Sequence, residues 1–245
     1  MNTYTTAEKN LAAGFAFIAG FIDSVGFIFL GGVFLSFMSG NTTRIATSTI
    51  DGDPELAWLA GSAVLMFLLG VMEGALVRRL AMRRLSPDRI REVVLANMCV
   101  LFTASSLLVL VDAPAAAIIA AALGIGAMNS IFERSGEVAI PLTYMTGTLV
   151  KMGQRFVDAF FGGTHTAWLE HLRMWAALSA GAFVGAIAYR GLGVTYMSQF
   201  VLDKSKTECR DKAIAAWRRS LSIEPDQNDL IRLIERYEPV APSRL

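Results

Sequence analysis

Apolar positions in this chain fall into long runs with few interruptions. Residues 10–32 carry one charge, Asp23, and residues 33–50 carry one, Arg44. Residues 54–77 carry Glu55 at the start and Glu73 near the end, while 93–111 and 115–132 carry none. Residues 138–161 hold Lys151, Arg155 and Asp158, and 167–189 hold Glu170 and Arg173 near one end. A bilayer core of about 30 Å takes roughly 20 apolar residues per helix. The pattern predicts an all-α integral membrane protein of six to seven transmembrane helices. Two segments, 33–50 and 138–161, are polar enough to cross, break midway or re-enter.

Local chemistry sets the expected boundaries. Asp53-Pro54 and Ser86-Pro87 each place a capping side chain before a Pro at the first helical position. Asp112-Ala113-Pro114 divides 93–132 into a helical hairpin, because Pro cannot continue the first helix. The apolar run that follows residues 1–9 is too long for the h-region of a cleavable signal.

The same landmarks occur twice in the same order. Phe21-Ile22-Asp23-Ser24 matches Ala127-Met128-Asn129-Ser130, and Phe37-Met38-Ser39-Gly40 matches Tyr144-Met145-Thr146-Gly147. Ala57-Trp58-Leu59 matches Ala167-Trp168-Leu169, and Gly70-x3-Gly74 with Arg79 matches Gly181-x3-Gly185 with Arg190. This reads as two three-helix repeats, 10–79 and 115–190, joined by helix 93–111. Three helices plus one linking helix is an even shift, so the units are expected to point the same way. Small residues spaced by four (Ala12, Ala16, Gly20, Ser24; Ala122, Gly126, Ser130; Ala177, Gly181, Gly185) mark close helix packing.

Charge divides the chain in two. The whole sequence has 22 Lys+Arg against 21 Asp+Glu. Residues 1–199 hold 26 of these charges and the last 46 residues hold 17, so a transmembrane region (1–199) is followed by a charged tail (200–245). Neither part has the basic excess of a nucleic-acid binder. Cys99 and Cys209 are the only cysteines and lie in different regions, which excludes a disulfide-stapled module. Arg78, Arg79, Arg83, Arg84, Arg89 and Arg91 place segment 78–92 in the cytoplasm. Arg190, Lys204 and Lys206 suggest the same side for the C-terminus, in a bacterial inner membrane. With seven crossings the N-terminus faces out. If the polar segments only re-enter, five crossings remain and the N-terminus moves inside.

The candidate chemistry is the set of polar residues inside the spans, which pair across the repeat: Asp23 with Asn129, Asn41 with Thr148, Arg44 with Lys151. Charge at the bilayer centre costs at least about 2.5–3.5 kcal/mol, so such residues face a cavity or a partner. One reading is a midplane site in which Arg44 and Lys151 face a small polar or anionic solute and Asp23 balances charge or carries a proton. The other is a structural ion pair of Asp23 with Lys151 or Arg44. Ser39-Gly40-Asn41-Thr42-Thr43 is expected to unwind mid-span and free backbone groups, with Thr146-Gly147-Thr148 as a milder counterpart. Arg155–Asp158 reads as a local pair, Glu73 as a partner of the nearby arginines, and Glu133 and Arg134 as interfacial. His165 and His171 lack further ligands at metal spacing. No nucleophile elbow or phosphate loop is present. No enzyme activity, cofactor or metal is therefore expected.

The tail predicts two short helices, 207–222 and 227–237. Ala213-x3-Trp217-x3-Leu221-x3-Pro225 is similar to the second helix of a tetratricopeptide repeat. A helix packed on the membrane region is expected, with docking of a protein partner as the alternative.

Gly20-Phe21-Ile22-Asp23-Ser24-Val25-Gly26-Phe27, followed by Phe37-Met38-Ser39-Gly40-Asn41-Thr42-Thr43, resembles the YoaK-like family of bacterial multi-pass inner-membrane proteins. Asn129-Ser130 and Tyr144-Met145-Thr146-Gly147-Thr148-Leu149 resemble its second motif. The resemblance covers residues 10–195 and implies a membrane address and small-molecule transport, with no assigned substrate. The tail lies outside it. The rival expectation is a membrane scaffold or sensor that holds the tail for a partner.

Overall fold

The computed structural model describes residues 5–111, 113–134, 137–138, 142–202, 207–223 and 225–238. The described helices are α1 (Thr6–Phe29), α2 (Met38–Ile50), α3 (Pro54–Met82), α4 (Pro87–Leu110), α5 (Pro114–Met128), α6 (Met145–Asp158), α7 (Ala167–Leu202), α8 (Thr207–Ile223) and α9 (Asn228–Tyr237). A ribbon of two-residue strands, Glu133–Arg134 against Glu137–Val138, is the one addition to the all-α expectation among the described residues. Among the described residues, four helices are long and apolar enough to cross a membrane: Thr6–Phe29, Pro54–Met82, Arg89–Leu110 and Ala167–Leu192. A shorter apolar helix covers Ala116–Met128.

The boundaries follow the local signals. Thr5 and Glu8 form a reciprocal capping box at the start of α1. Asp53 accepts the Leu56 N–H at 3.0 Å, with Pro54 at the first position of α3. Ser86 occupies the N-cap of α4 before Pro87, but its hydroxyl closes no cap bond. α1 ends in a Schellman turn: Gly31 has φ +66° and the Gly32 N–H reaches the Phe27 carbonyl at 2.8 Å. Gly52 (φ +76°) and the Asp53 N–H to the Ser48 carbonyl repeat that turn after α2.

Helix directions come from the close contacts. A Cβ at Gly181 would lie 1.9 Å from the Phe17 carbonyl oxygen, and one at Gly185 would lie 2.5 Å from that of Phe21, so α1 and α7 run parallel. Gly70 sits against Leu123 and Gly74 against Ala127 in the same way, so α3 and α5 also run parallel. The short turns on either side of α4 make it antiparallel to both, and Asn97 bonds Glu73 (2.9 Å) while Ser105 bonds the Ala117 carbonyl (2.8 Å). Arg91 pairs with Glu8 at 2.8 Å, which sets the start of α4 beside the start of α1. Lys9 pairs with Glu170, and Arg173 bonds Asn10, which brings the start of α7 to the same end.

One end of the bundle therefore gathers the start of α1, the α3–α4 turn, the end of α5 and the start of α7. The other gathers the end of α1, the start of α3, the α4–α5 turn and the later part of α7. α2 begins and ends on the second side, and α6 belongs in the same sense to the first. At 13 and 14 residues they are about 20 Å long. Neither carries the chain from one end to the other.

This corrects the expected path. Segments 10–79 and 115–190 run in opposite senses instead of pointing the same way. The tail also lies opposite the arginine segment: Arg219 of α8 stacks 4.4 Å over Phe29 at the end of α1. The arginine turn and α8 thus lie at opposite ends of the bundle, where the sequence placed them on one side. The cause is that the helices of 33–50 and 138–161 are short and return to the end they started from, which leaves three traversing helices (α4, α5 and α7) instead of four between the arginine segment and the tail. Glu73 is a second correction, since it accepts from Asn97 and forms no ion pair with the arginines.

The main core joins Ala12, Phe15, Ala16 and Ala19 of α1 to Val94 and Met98 of α4, Ala122, Ile125 and Met128 of α5, and Leu35. Arg78 closes the arginine end, donating to the Glu133 carbonyl (2.7 Å) and the Ser130 carbonyl (3.4 Å) and lying 3.7 Å from the Glu133 carboxylate. The tail has its own cluster of Ala213, Ile214, Trp217 and Ile234.

Candidate functional site

Each short helix follows a non-helical stretch, and a polar side chain in or next to the preceding helix bonds that stretch: Asp23 of α1 its backbone amides, and Asn129, directly after α5, the Thr143 hydroxyl. In the first, residues 30–37 are irregular. The amides of Phe34, Leu35 and Ser36 have no helical partner, and unpaired backbone groups in an apolar layer cost several kcal/mol each. Asp23 Oδ1 accepts the N–H of Leu35 and of Ser36, both at 2.7 Å. Asn41, fully buried in the first turn of α2, accepts the Phe34 N–H at 2.9 Å and donates to the Phe34 carbonyl at 2.7 Å. Two side chains thus do for residues 34–36 what a neighbouring strand would do.

Aromatic packing seals the segment. The Phe34 ring lies 4.5 Å from that of Phe27 and 5.8 Å from that of Phe37. Gly40 leaves room for it, since a Cβ there would meet the Phe34 ring at 3.0 Å. Gly32 has φ +104°, and its missing Cβ is the space taken by the Arg44 guanidinium. Ser36 is 5% exposed, and among the described residues its hydroxyl has no partner within hydrogen-bond geometry. Asp23, Ser36, Asn41 and Arg44 are therefore gathered around one break.

In the second interruption, Asn129 follows directly on α5. Its Nδ2 donates to the carbonyls of Ile125 (3.2 Å) and Gly126 (3.3 Å), and its Oδ1 accepts the Thr143 hydroxyl at 3.3 Å. Thr148 is buried and donates to the Tyr144 carbonyl at 3.2 Å. Tyr144 packs where a Cβ on Gly147 would stand.

Several expectations need revision. The run Ser39–Thr43 is helical, not unwound, and the break lies upstream of it. The hydroxyls of Thr42 and Thr43 are satisfied by the carbonyls of Met38 and Ser39, as is Thr47 by Thr43 and Thr49 by Ile45. That back-bonding lets a Ser/Thr-rich helix exist without water. Ser39, Thr42, Thr43 and Thr146 are exposed. Asp23 makes no ion pair with Arg44 or Lys151, because backbone amides occupy it. α2 packs on α3 and α6 on α7, with no contact between α2 and α6. Lys151, exposed on α6, therefore stands apart from Asp23 and Arg44, and the ten candidate residues form two half-sites instead of one midplane cluster. Arg155 and Asp158 do pair, at 3.7 Å.

Ser36, Thr143 and Phe34 escaped the sequence reading. Ser36 and Thr143 each stand one residue before the repeated Phe37 and Tyr144 motifs, so extending the match by one position would have found both. Asn41→Leu is expected to cost about 2–4 kcal/mol, because it strands the Phe34 N–H and carbonyl in a buried site. Thermal melting of the purified protein checks this, and Thr148→Val, which removes only a local bond, serves as the milder comparison.

The family described as a protein of unknown function, DUF1275, matches residues 11–202. The chain belongs to this family. It is the YoaK-like family that the Asp23 and Asn41 motifs resemble. A UPF0700 transmembrane protein of Rhizobium meliloti (strain 1021) is 29% identical over 183 residues, 75% of this chain and 76% of that protein. No solved structure matches. The DUF1275 match contains both breaks and stops where the tail begins. Together with its long apolar helices, it makes the chain a helical membrane protein.

Proposed function

We propose that this DUF1275 protein is a secondary transporter or permease of the bacterial inner membrane, without enzymatic activity, for a small polar or anionic solute. The observation that carries the proposal is the pair of short helices that follow non-helical stretches, with Asp23 bonding the backbone amides of Leu35 and Ser36 at the first and Asn129 the Thr143 hydroxyl at the second. Transporters commonly bind solute where helices are discontinuous, because freed backbone groups and half-helix ends line the path. We assign the path to these breaks, with Asp23, Ser36, Asn41 and Arg44 on one side and Asn129, Thr143 and Thr148 on the other.

The proposal takes 1–199 as two inverted three-helix repeats with five membrane crossings. Its support is a set of exchanged contacts: Gly20 on Leu178 corresponds to Gly126 on Phe67, Gly181 on Phe17 to Gly70 on Leu123, and Gly185 on Phe21 to Gly74 on Ala127. In each pair the partners are related by the same sequence offsets as the repeated motifs. The six arginines of 78–92 assign their end to the cytoplasm. The N-terminus is then inside and the tail outside.

A panel of small organic and inorganic anions and neutral polar solutes, screened by thermal shift on purified protein, tests the proposal. At least one solute is expected to stabilise the wild type, with the gain lost in Asp23→Asn or Arg44→Gln and kept in Lys151→Met. Retention of the full gain in both Asp23→Asn and Arg44→Gln removes the first break from the site.

The tail favours a second reading, that of a scaffold or sensor, because α8 and α9 form their own apolar cluster docked on α1 and α7. In that case, deletion of 207–238 abolishes the cellular phenotype while Asp23→Asn leaves it intact.

A further inference from the structure

The arginine turn does more than its topological role requires. Of the six arginines in 78–92, two are used inside the protein: Arg78 with Glu133 and Arg91 with Glu8. The other four, Arg79, Arg83, Arg84 and Arg89, are exposed and make no ion pair among the described residues. The two carboxylates of that segment, Asp88 and Glu92, leave it with a positive excess. Exposed Leu80 (51%), Met82 (56%) and Leu85 (38%) are interspersed with these arginines. Phe160 and Phe161, 73% and 85% exposed in the α6–α7 turn, add apolar surface at the same end.

We propose that this turn binds the phosphate of anionic phospholipid headgroups, with Leu80, Met82 and Leu85 in the acyl boundary. Guanidinium groups match phosphate oxygens in paired hydrogen bonds, and their stems lie along apolar surface while the charge stays at the interface. A carboxylate partner from the protein would have cancelled the attraction, and the four arginines have none among the described residues. The surface potential of an anionic leaflet adds to it. The inference rests on the membrane placement of the helices and not on transport, so it survives if no solute is found.

The test uses the full chain purified into nanodiscs of phosphatidylcholine alone or mixed with phosphatidylglycerol. Both faces of a nanodisc are accessible, so a variant inserted the other way round reads the same. The wild type is expected to melt higher in the mixed lipid and to lose that gain as salt is raised. Affinity for phosphatidylglycerol is expected to fall about five-fold for each arginine replaced. The combined R79Q/R83Q/R84Q/R89Q variant, or R83Q/R84Q if that one expresses poorly, should lose the gain and melt like wild type in phosphatidylcholine. R218Q/R232Q on the tail should keep it. Equal melting of the wild type in both lipids overturns the proposal, as does a full gain in the four-arginine variant. A gain reproduced by inorganic phosphate in phosphatidylcholine discs also overturns it, since the ligand is then a soluble anion.

Discussion

A reporter fused after residue 84 will read the cytoplasm, and one fused after residue 238 will read the opposite compartment. The expected contrast is all or none: a fluorescent protein lights up at the first site only, and alkaline phosphatase is active at the second only. The argument has two steps. Basic residues in short loops set orientation, and the 78–92 segment holds six arginines between two long helices. The tail is joined to α7, which runs parallel to α1 along Phe17–Gly181 and Phe21–Gly185, so it emerges at the end opposite that segment. Lys204 and Lys206, close after α7, pull the other way and are outnumbered by the six arginines of that segment. A reporter after residue 52 is expected on the tail's side, since α2 returns to the side where α1 ended. Finding both residue 84 and residue 238 in the cytoplasm would require an even number of crossings and would sink the inverted arrangement.

The second large effect is expected at the helix crossings. Gly181→Leu should prevent stable assembly, with a loss above about 3 kcal/mol, because its Cβ would stand 1.9 Å from the Phe17 carbonyl oxygen. Backbone cannot yield as the end of a side chain can, so α1 and α7 would have to separate along their length. Gly126→Leu should behave alike, since its Cβ would meet the Phe67 carbonyl oxygen at 2.3 Å. Gly14→Leu and Gly153→Leu meet nothing within 4 Å and should melt within about 1 kcal/mol of wild type. Unfolding in mixed micelles gives the comparison. A Gly181→Leu protein as stable as Gly14→Leu would show that these helices do not pack through this face.

Much of the bundle was legible in the chain. The apolar runs located the long helices, Asp53-Pro54 and Asp112-Ala113-Pro114 marked their boundaries, and the small residues spaced by four picked out the crossings. These signals are local or have a short period, and a helix expresses them whatever packs against it. The candidate site was less legible. Ser39–Thr43 looked like the break because its residue types are poor helix formers, yet back-bonding to carbonyls one turn away keeps it helical. The break settled at 30–37, where Gly31 and Gly32 end α1 and where Asp23 and Asn41 can reach the stranded amides. Asp23 was expected to meet a cation. Its partners are backbone N–H groups, which no composition or spacing reveals.

By itself, the amino-acid sequence determined that this is a membrane protein with a charged tail, where its long helices lie, and which polar residues sit among apolar ones. Only the tertiary structure decided that the helices of 33–50 and 138–161 are 13 and 14 residues long, that α1 runs parallel to α7 and α3 to α5, and that Arg44 joins Asp23 at one break while Lys151 does not. The reason is physical. Hydropathy measures how much a segment prefers lipid, and that preference is the same for either direction of a helix. Direction depends on whether 33–50 and 138–161 return or cross, and the contacts at the first break join residues twelve and thirteen positions apart (Asp23 to Leu35 and Ser36) across a turn.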